Sequence, residues 1–578
     1  MGFLVFLLAV IWFFVMYKLY GGYMAKKIFK LDNKRVTPAH ELKDGVDYVP
    51  TNKWVVWGHH YTSIAGLGPI VGPSIGVIWG WIPALLWVTL GTIFAGAVHD
   101  FSALVISMRN KGKSLGEVTA KIVGPRARYL FFIVIFLELW IVIAIFALIM
   151  GILFNMYPSS VFPVWMEIPI AVLLSHMVFK RGKSLDLWSW IALVAMYATI
   201  FIGVFLPIKL PGNAVVMWLM IMLVYCYIAS VLPVETLLQP RDYINAHELV
   251  VAIGLIAAGA VGALIASPQH LSIVAPSFNL HAKGAPSFWP FIFVTISCGA
   301  ISGFHALVAS GTSSKQVDKE SDAKLIGYGG MVSEGILAAL VILAVSAGIG
   351  TDASTKTAGI ALWNQHYASW ATASGLGAKI GAFINGSAKM LTYLFGTSPY
   401  MKGFVMTVMG VFIVSFAGTT LDTATRAQRY VVQEFGKDIH AKWMTKKHPA
   451  TLIAVVSAFA LAMAAPNGKG ALILWPLFGT VNQLLAGLAL LVATVYLIKK
   501  KTHYLVTAIP MAFMILMTGW AMVMNIDHFG KTHNWLLLII GVIVFVTMLW
   551  LIVEAALAII KAHSKGKGPK AKEVEEFD

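Results

Sequence analysis

Apolar stretches recur along almost the whole chain, separated by short polar segments. About fifteen of them run to about 18 or more residues, long enough for a helix to cross a hydrocarbon core of about 30 Å. They lie near 3–23, 54–76, 81–108, 129–156, 161–179, 187–208, 214–234, 246–266, 287–310, 325–349, 402–420, 449–466, 470–498, 503–525 and 534–560. The pattern predicts an all-α polytopic membrane protein of about 15 transmembrane helices. Met1 to Tyr23 has neither a basic leader nor a small-residue cleavage site, so it reads as a retained span. The longest connection, about 350–398, contains an amphipathic stretch from Gly375 to Phe395 with Lys379 and Lys389, expected to form a lid or a surface helix. The charged segment Lys565 to Asp578 is expected to be disordered.

Charge sharpens the topology. Loops after the odd-numbered spans hold the basic clusters, among them Lys26 to Arg35, Arg109 to Arg128, Lys180 to Lys183, Lys315 to Lys324, Arg426 to Lys447 and Lys499 to Lys501. About 34 of the 43 Lys and Arg fall on that side and about 9 elsewhere, the bias of cytoplasmic loops. This puts the N-terminus outside and the C-terminus in the cytoplasm. The net charge of +17 is thus explained by topology, and a nucleic-acid partner is not implied.

Of the 578 residues, 58% are hydrophobic and 12% charged, where soluble domains carry about a quarter charged. The two cysteines, Cys226 and Cys298, lie inside apolar stretches, which excludes a disulfide framework and a Cys-based zinc site. No Walker loop or HExxH motif is present, and no cofactor is implied. Gly72 to Gly76 matches the letters of a nucleophile elbow but sits in an apolar span instead of a strand-to-helix turn. Enzymatic function is not expected. With no nucleotide site, the driving force expected for a transporter is an ion gradient.

Several segments break the rules for a plain anchoring helix. Gly58 to Pro73 combines His59, His60, Thr62 and Ser63 with Gly66, Gly68 and Gly72 and with Pro69 and Pro73. Non-helical backbone at membrane depth is tolerated only where protein buries it or a cavity exposes it, and transporters bind solutes at such breaks. Leu232 to Tyr243 brackets Glu235 and Gln239 between Pro233 and Pro240, followed by Arg241 and Asp242. Ser302 to Lys315 carries His305, Thr312 and Ser313, with hydroxyls suited to a hard cation or a substrate oxygen. His99, Asp100, Glu138, Glu334 and Glu554 are ionisable groups inside spans, where burial costs several kcal/mol unless the group is paired or functional. Ser415 to Arg426 adds Thr419, Thr420 and Asp422, either a helix cap or part of the pathway.

These blocks resemble the carbon starvation protein A family of bacterial inner-membrane transporters. The likeness rests on Gly58 to His60 with Ala65 to Pro73, Phe94 to Phe101, Leu238 to Tyr243, Ser302 to His305, Ser310 to Ser313, and Thr419 to Arg426, and covers about residues 1–510. It implies import of peptides or pyruvate under carbon limitation by proton symport. It also implies a core of two inverted five-helix repeats, as in the amino acid–polyamine–organocation superfamily. The chain would then divide into an N-terminal helix and basic loop (1–53), a core (54–420, with repeats 54–208 and 214–420) and a C-terminal part (421–578). The expected substrate-binding residues are His59, His60, Thr62, Ser63, Gly66, Gly68, Glu235, Gln239 and His305. His99, Asp100 and Glu138 would carry the coupled proton, and Thr312 and Ser313 mark a possible cation site. The expected partners are a small solute, a coupling proton or sodium ion, and membrane lipid. Sodium coupling, a starvation sensor without transport and a channel are the rival readings, and the sequence does not separate peptide from pyruvate or give an oligomeric state.

Overall fold

The computed structural model describes residues 2–373 and 375–564, and within them the regular secondary structure is helical apart from one isolated bridge between Thr51 and Val317. The expectation for the tail from Lys565 falls outside the described residues. In chain order the helices used below are α1 (Gly2–Tyr23), α2 (Lys53–Ala65), α3 (Gly68–Gly76), α4 (Trp81–Met108), α5 (Leu115–Ile122) and α6 (Pro125–Met156). They continue with α7 (Pro158–Lys180), α8 (Leu185–Phe205), α9 (Ala214–Val231), α10 (Leu238–Ala266), α11 (Phe288–Thr295) and α12 (Gly303–Gly311). The remainder are α13 (Glu320–Gly350), α14 (Lys356–Tyr367), α15 (Leu376–Phe395), α16 (Pro399–Asp438), α17 (Lys447–Met463), α18 (Gly470–Lys499), α19 (Leu505–Lys531) and α20 (Trp535–Ser564).

Local signals explain many of these boundaries. Asn52 caps α2 by accepting from Trp54 N, Ser114 caps α5 from Glu117 N, and Ser398 caps α16 from Met401 N. Prolines open α6 and α16 in the first turn, where the missing N–H costs nothing. Among the described residues twelve helices are long and apolar enough to span a membrane, thirteen with the bent pair α2–α3, against the fifteen expected. Two expected spans account for the difference. Residues 449–466 form α17, an apolar helix just under the usual spanning length. Residues 287–310 are not one helix but α11 and α12, separated by the non-helical stretch 296–302.

Polarity is reversed relative to a soluble protein. Large apolar side chains face outward, with Val194 and Ile509 each 67% exposed, while His59, Asp100, His305 and Asp422 are fully buried. At the centre α6 and α16 run against each other, α2 packs on α10, α3 on α13, and α12 between α4 and α18. The polar residues inside spans therefore lie at helix–helix contacts and away from lipid.

Candidate functional site

Two backbone breaks abut in the wall of a cavity of about 1090 Å³. The first lies between α2 and α3, where the chain bends by 43° at Gly66 and Leu67. Pro69 in the first turn of α3 needs no donor partner, so the second half-helix can start there. The second break is the stretch 296–302. Glycines let the two approach: a Cβ on Gly68 would sit 2.3 Å from Cys298 Cβ and Sγ, and one on Gly72 would sit 2.7 Å from the Thr295 carbonyl oxygen. On the other side of α2, a Cβ on Gly66 would meet Thr420 Oγ1 of α16 at 2.4 Å. The cavity wall is largely apolar; Ser297, Cys298, Ser302, Thr420 and Asn482 are polar near the breaks, and Asn525, Asp527, His528 and Lys531 of α19 also line it. Asn482 of α18 accepts hydrogen bonds from Phe304 N (2.9 Å) and Ser302 Oγ (3.1 Å), satisfying the first turn of α12.

Behind the second break runs a chain of buried ionisable groups. His99 Nδ1 is 2.7 Å from Asp100 Oδ1, and Asp100 Oδ2 is 3.1 Å from His305 Nδ1. His305 Nε2 in turn lies 3.3 Å from Glu334 Oε2, and Glu334 Oε1 accepts the Gly299 N–H at 2.9 Å. The chain thus ends on the peptide next to Cys298 in the cavity wall. A π-helical turn in α4, Thr92–Gly96, lets Thr92 Oγ1 donate to the Gly299 carbonyl at 2.8 Å. One atom each of Cys298, His305 and Glu334 lie within 4.8 Å of one another, a spacing that a small cation could bridge. Within that group His305 and Glu334 already pair with each other.

A second buried ionic cluster sits where α2, α7, α10 and α16 meet. His59 Nδ1 is 2.5 Å from Asp242 Oδ2, and Arg241 binds Asp422 at 2.6 Å and Glu167 at 3.5 Å. Arg241 also donates to Thr419 Oγ1 (3.0 Å) and the Tyr225 hydroxyl, and Ser415 donates to Glu167. Three carboxylates, one guanidinium and one imidazole satisfy much of one another there, which is how charge survives at membrane depth. Arg241 and Asp242, which follow the proline-bracketed segment in the sequence, are both enclosed.

One end of the molecule is sewn shut by the segment between α1 and α2. Asp47 accepts from Arg426 (2.7 Å), Arg429 (2.9 and 3.0 Å) and the Tyr430 hydroxyl (2.7 Å), all on α16. Burial alone would push the Asp47 carboxyl up, but Arg429, Arg426 and Lys315 together hold it well below the ordinary carboxylate range. Lys315 lies 3.5 Å over the Tyr430 ring, and burial pushes its ammonium down to about 8. Val234 N donates to Val46 O (3.0 Å), and Thr51 N to Gln316 O (3.1 Å). Gln239 Nε2 reaches Thr51 Oγ1 (3.0 Å) and Gln316 Oε1 (2.7 Å).

Of the expected substrate residues, Gly66 and Gly68 line the cavity. Ser63 stands just behind it, its carbonyl accepting from Thr420 Oγ1 and its hydroxyl 3.0 Å from Thr423 Oγ1. Thr62 donates to its own helix at Gly58 O, and His60 Nδ1 is 2.9 Å from Ser313 Oγ. His59 belongs to the second cluster and His305 to the chain behind the break. Gln239 belongs to the sealed end, and Glu235 is half-buried beside it in the 232–237 connection, with its carbonyl accepting from Ser175. Of the expected proton carriers, His99 and Asp100 are paired, while neither oxygen of buried Glu138 has a hydrogen-bond partner among the described residues. Thr312 donates to Val308 O of its own helix, so it and Ser313 both have protein partners. The sequence reading missed Ser297, Ser302 and Asn482 as cavity residues. The amides of Asn482 and Gln483 inside an apolar span were the available signal for α18.

A peptide transporter CstA of Campylobacter jejuni is 35% identical over 577 residues, covering 91% of this chain and 81% of that protein. A pyruvate/proton symporter BtsT of Escherichia coli is 33% identical, covering 88% and 80%. Among solved structures, a manganese transporter of Eremococcus coleocola superposes with a TM-score of 0.48 at 13% identity, over 90% of this chain and 99% of that one, too distant a likeness to carry residue roles. The family model described as carbon starvation protein CstA matches residues 1–521, and the chain belongs to that family.

Proposed function

We propose that this chain is a bacterial inner-membrane secondary transporter that imports short peptides or pyruvate by proton symport, with the solute bound between the two breaks. The observation that carries this reading is the adjacency of a solute-sized cavity and a buried chain of imidazoles and carboxylates that share the Cys298–Gly299 segment. The substrate carboxylate lies against the start of α3 near Gly66 and Gly68, where N–H groups and the helix dipole favour an anion. Ser302 and Asn482 offer hydrogen bonds from the facing wall. The cavity volume admits a short peptide whole, whereas pyruvate leaves most of it to water. His99, Asp100, His305 and Glu334 carry the proton.

Two further features belong to this reading. With the basic loops cytoplasmic, the N-terminus is outside, the C-terminus is cytoplasmic, and the Asp47 clasp closes the cytoplasmic end. The cavity, whose lining includes Gly284, Trp370 and Asn534 from connections on the other side, is then open outward. The two repeats are best divided at the breaks. One runs from α2 to α10 with α7 and α8 as an inserted hairpin, and the other from α11 to α18. Each then opens on a broken helix, followed by a long helix, a surface helical segment and the long helices α6 and α16. On this reading the second repeat starts at about 288, where the resemblance implied 214.

The test is uptake of labelled pyruvate and of a labelled dipeptide into proteoliposomes under an imposed inward proton gradient, with and without sodium. Proton-driven accumulation of one solute is the expected result and names the substrate. Accumulation that requires sodium and survives a protonophore would overturn proton symport, and no accumulation of either would overturn the substrate class.

A further inference from the structure

Glu334 joins the two halves of the site. Its two oxygens serve different partners: Oε1 accepts the Gly299 N–H at 2.9 Å, and Oε2 faces His305 Nε2 at 3.3 Å. Neither oxygen reaches solvent, because Glu334 and His305 are both fully buried. Gly299 is held on several sides. It has φ +88°, a conformation that favours glycine, and a Cβ there would sit 2.7 Å from Ala338 Cβ. Ala338 is one turn beyond Glu334 on the same face of α13, so that helix both grips the Gly299 peptide and packs against it. Thr92 fixes the Gly299 carbonyl from α4. The neighbouring residue, Cys298, is the one that Gly68 abuts directly in the cavity wall. A small displacement of this peptide therefore moves the wall that touches α3.

Building on the proton-symport reading above, we propose that Glu334 is the positioning residue that couples the proton to the solute. It shares the transported proton with His305 and thereby sets how firmly the 296–302 segment is held against the cavity. An ionised carboxylate accepts a backbone N–H in a charge-assisted bond, roughly twice as strong as the bond made by a neutral acceptor. When the proton moves onto Glu334, the grip on Gly299 weakens; when it returns to His305, the grip is restored. The groups that face Glu334 are His305 from α12, Asp100 from α4, the Cys298 thiol from the 296–302 segment and Tyr61 from α2, whose hydroxyl donates to Ser333 O at 3.1 Å. His60 of α2 lies against Gly330 on the same side. Because His305 is shared between Asp100 and Glu334, a proton arriving along the His99–Asp100 side changes the charge at the Gly299 clamp without any group crossing the cavity. Glu334 does not touch the solute in this scheme.

The test compares wild type, Glu334→Gln and Glu334→Asp in proteoliposomes, using whichever of pyruvate or dialanine the wild type accumulates. Two fluxes are read: accumulation driven by a proton gradient, and exchange of labelled for unlabelled solute with no gradient. Glu334→Gln keeps the shape and the N–H acceptor but cannot share a proton. Its accumulation is expected to fall about tenfold or more, its exchange to stay within about threefold of wild type, and the pH dependence of the KM for exchange to flatten. Glu334→Asp is expected to restore part of the accumulation. Accumulation by Glu334→Gln at the wild-type level would overturn the proposal. So would a parallel loss of exchange and accumulation that Glu334→Asp does not rescue, since that marks a merely structural carboxyl. Failure of the wild type to respond to a proton gradient is a separate outcome, and it would overturn the symport reading on which the proposal rests.

Discussion

Asn in place of Asp47 should open the end that the clasp closes. Asp47 is 18% exposed, but its partners Arg426 and Arg429 are 0% and 1% exposed, so removing the carboxylate leaves two buried guanidinium groups without their counter-ion. Breaking such a pair costs about 3–5 kcal/mol. The lower end applies here, because Arg426 keeps Ala229 O and Leu232 O, and Arg429 keeps Ser230 O. If the strap is released in the opposite state, about 3 kcal/mol shifts the equilibrium between the two by about two orders of magnitude. The native cysteines provide the assay. Cys298 lines the cavity and is partly exposed, while Cys226 is fully buried, so an impermeant thiol reagent added outside reports on one residue. Labelling from outside is expected to slow by at least about tenfold in Asp47→Asn and to rise from the cytoplasmic face in inverted vesicles. Because Asp47 is held below the ordinary carboxylate range, its contribution is present above that range and is lost only as pH falls through its lowered value; wild-type labelling attributable to the clasp should not change between about pH 5 and pH 7, below the range where Lys315 loses its proton. Glu41→Gln is the control, since Glu41 and its partner Lys111 are 44% and 63% exposed and such pairs carry little. An Asp47→Asn protein with an unaltered melting profile that labels at the wild-type rate from both faces would refute the reasoning.

Other outcomes follow from the same geometry. Gly68→Ala should abolish uptake while leaving expression intact, and Cys298→Gly in the same chain should restore part of it, because the added Cβ meets Cys298 at 2.3 Å. Arg241→Ala strands Asp422 and Glu167 and should destabilise the detergent-solubilised protein by about 3–5 kcal/mol, read as a lowered Tm. On the outer helix α15, Lys379 lies 3.7 Å over the Tyr367 ring and donates to His366 O, and burial pushes its ammonium down to about 7. The folded state thus disfavours the proton that the unfolded chain keeps to about pH 10, so stability should rise with pH between about 7 and 10, and Lys379→Met should flatten that slope in thermal melts. Treatment with a strong chelator should leave proton-driven uptake unchanged, because His305 and Glu334 pair with each other; loss of uptake that zinc or manganese restores would argue for a metal at Cys298, His305 and Glu334.

The helical membrane architecture was legible because it follows from local composition: a long apolar run must satisfy its own backbone in lipid, and a helix does so. The first break was legible for the same reason, since Pro69, Gly66 and Gly68 fall within four residues of one another. The second was not. Residues 296–302 read Ile-Ser-Cys-Gly-Ala-Ile-Ser, without proline, inside a run that passes as one apolar span. What stops the helix there is tertiary: Glu334 takes the Gly299 N–H, Thr92 the Gly299 carbonyl, and Asn482 the start of α12. Pairing of this kind lies outside a hydropathy window. The proline-rich segment 232–243 drew attention instead, yet Pro240 sits in the first turn of α10, where proline is harmless. Ionisable residues inside spans stood out as unusual, but their division into the chain from His99 to Glu334 and a separate cluster around Arg241 depends on contacts across more than 180 residues.

His59 and His60 show how the two groups are tied together. Successive residues on a helix point about 100° apart, so neighbouring side chains reach different partners. His59 reaches Asp242 of α10 in the Arg241 cluster, while His60 reaches Ser313 at the end of α12. Both lie on α2, less than two turns before the bend at Gly66 and Leu67. Any tilt or rotation of α2 about that bend must carry both contacts along or break them together. Each is buried, and a buried polar group left unpaired costs about 1–3 kcal/mol. An intermediate position of α2 would leave both unmade, so the helix should favour discrete positions over a continuous range, as alternating access requires.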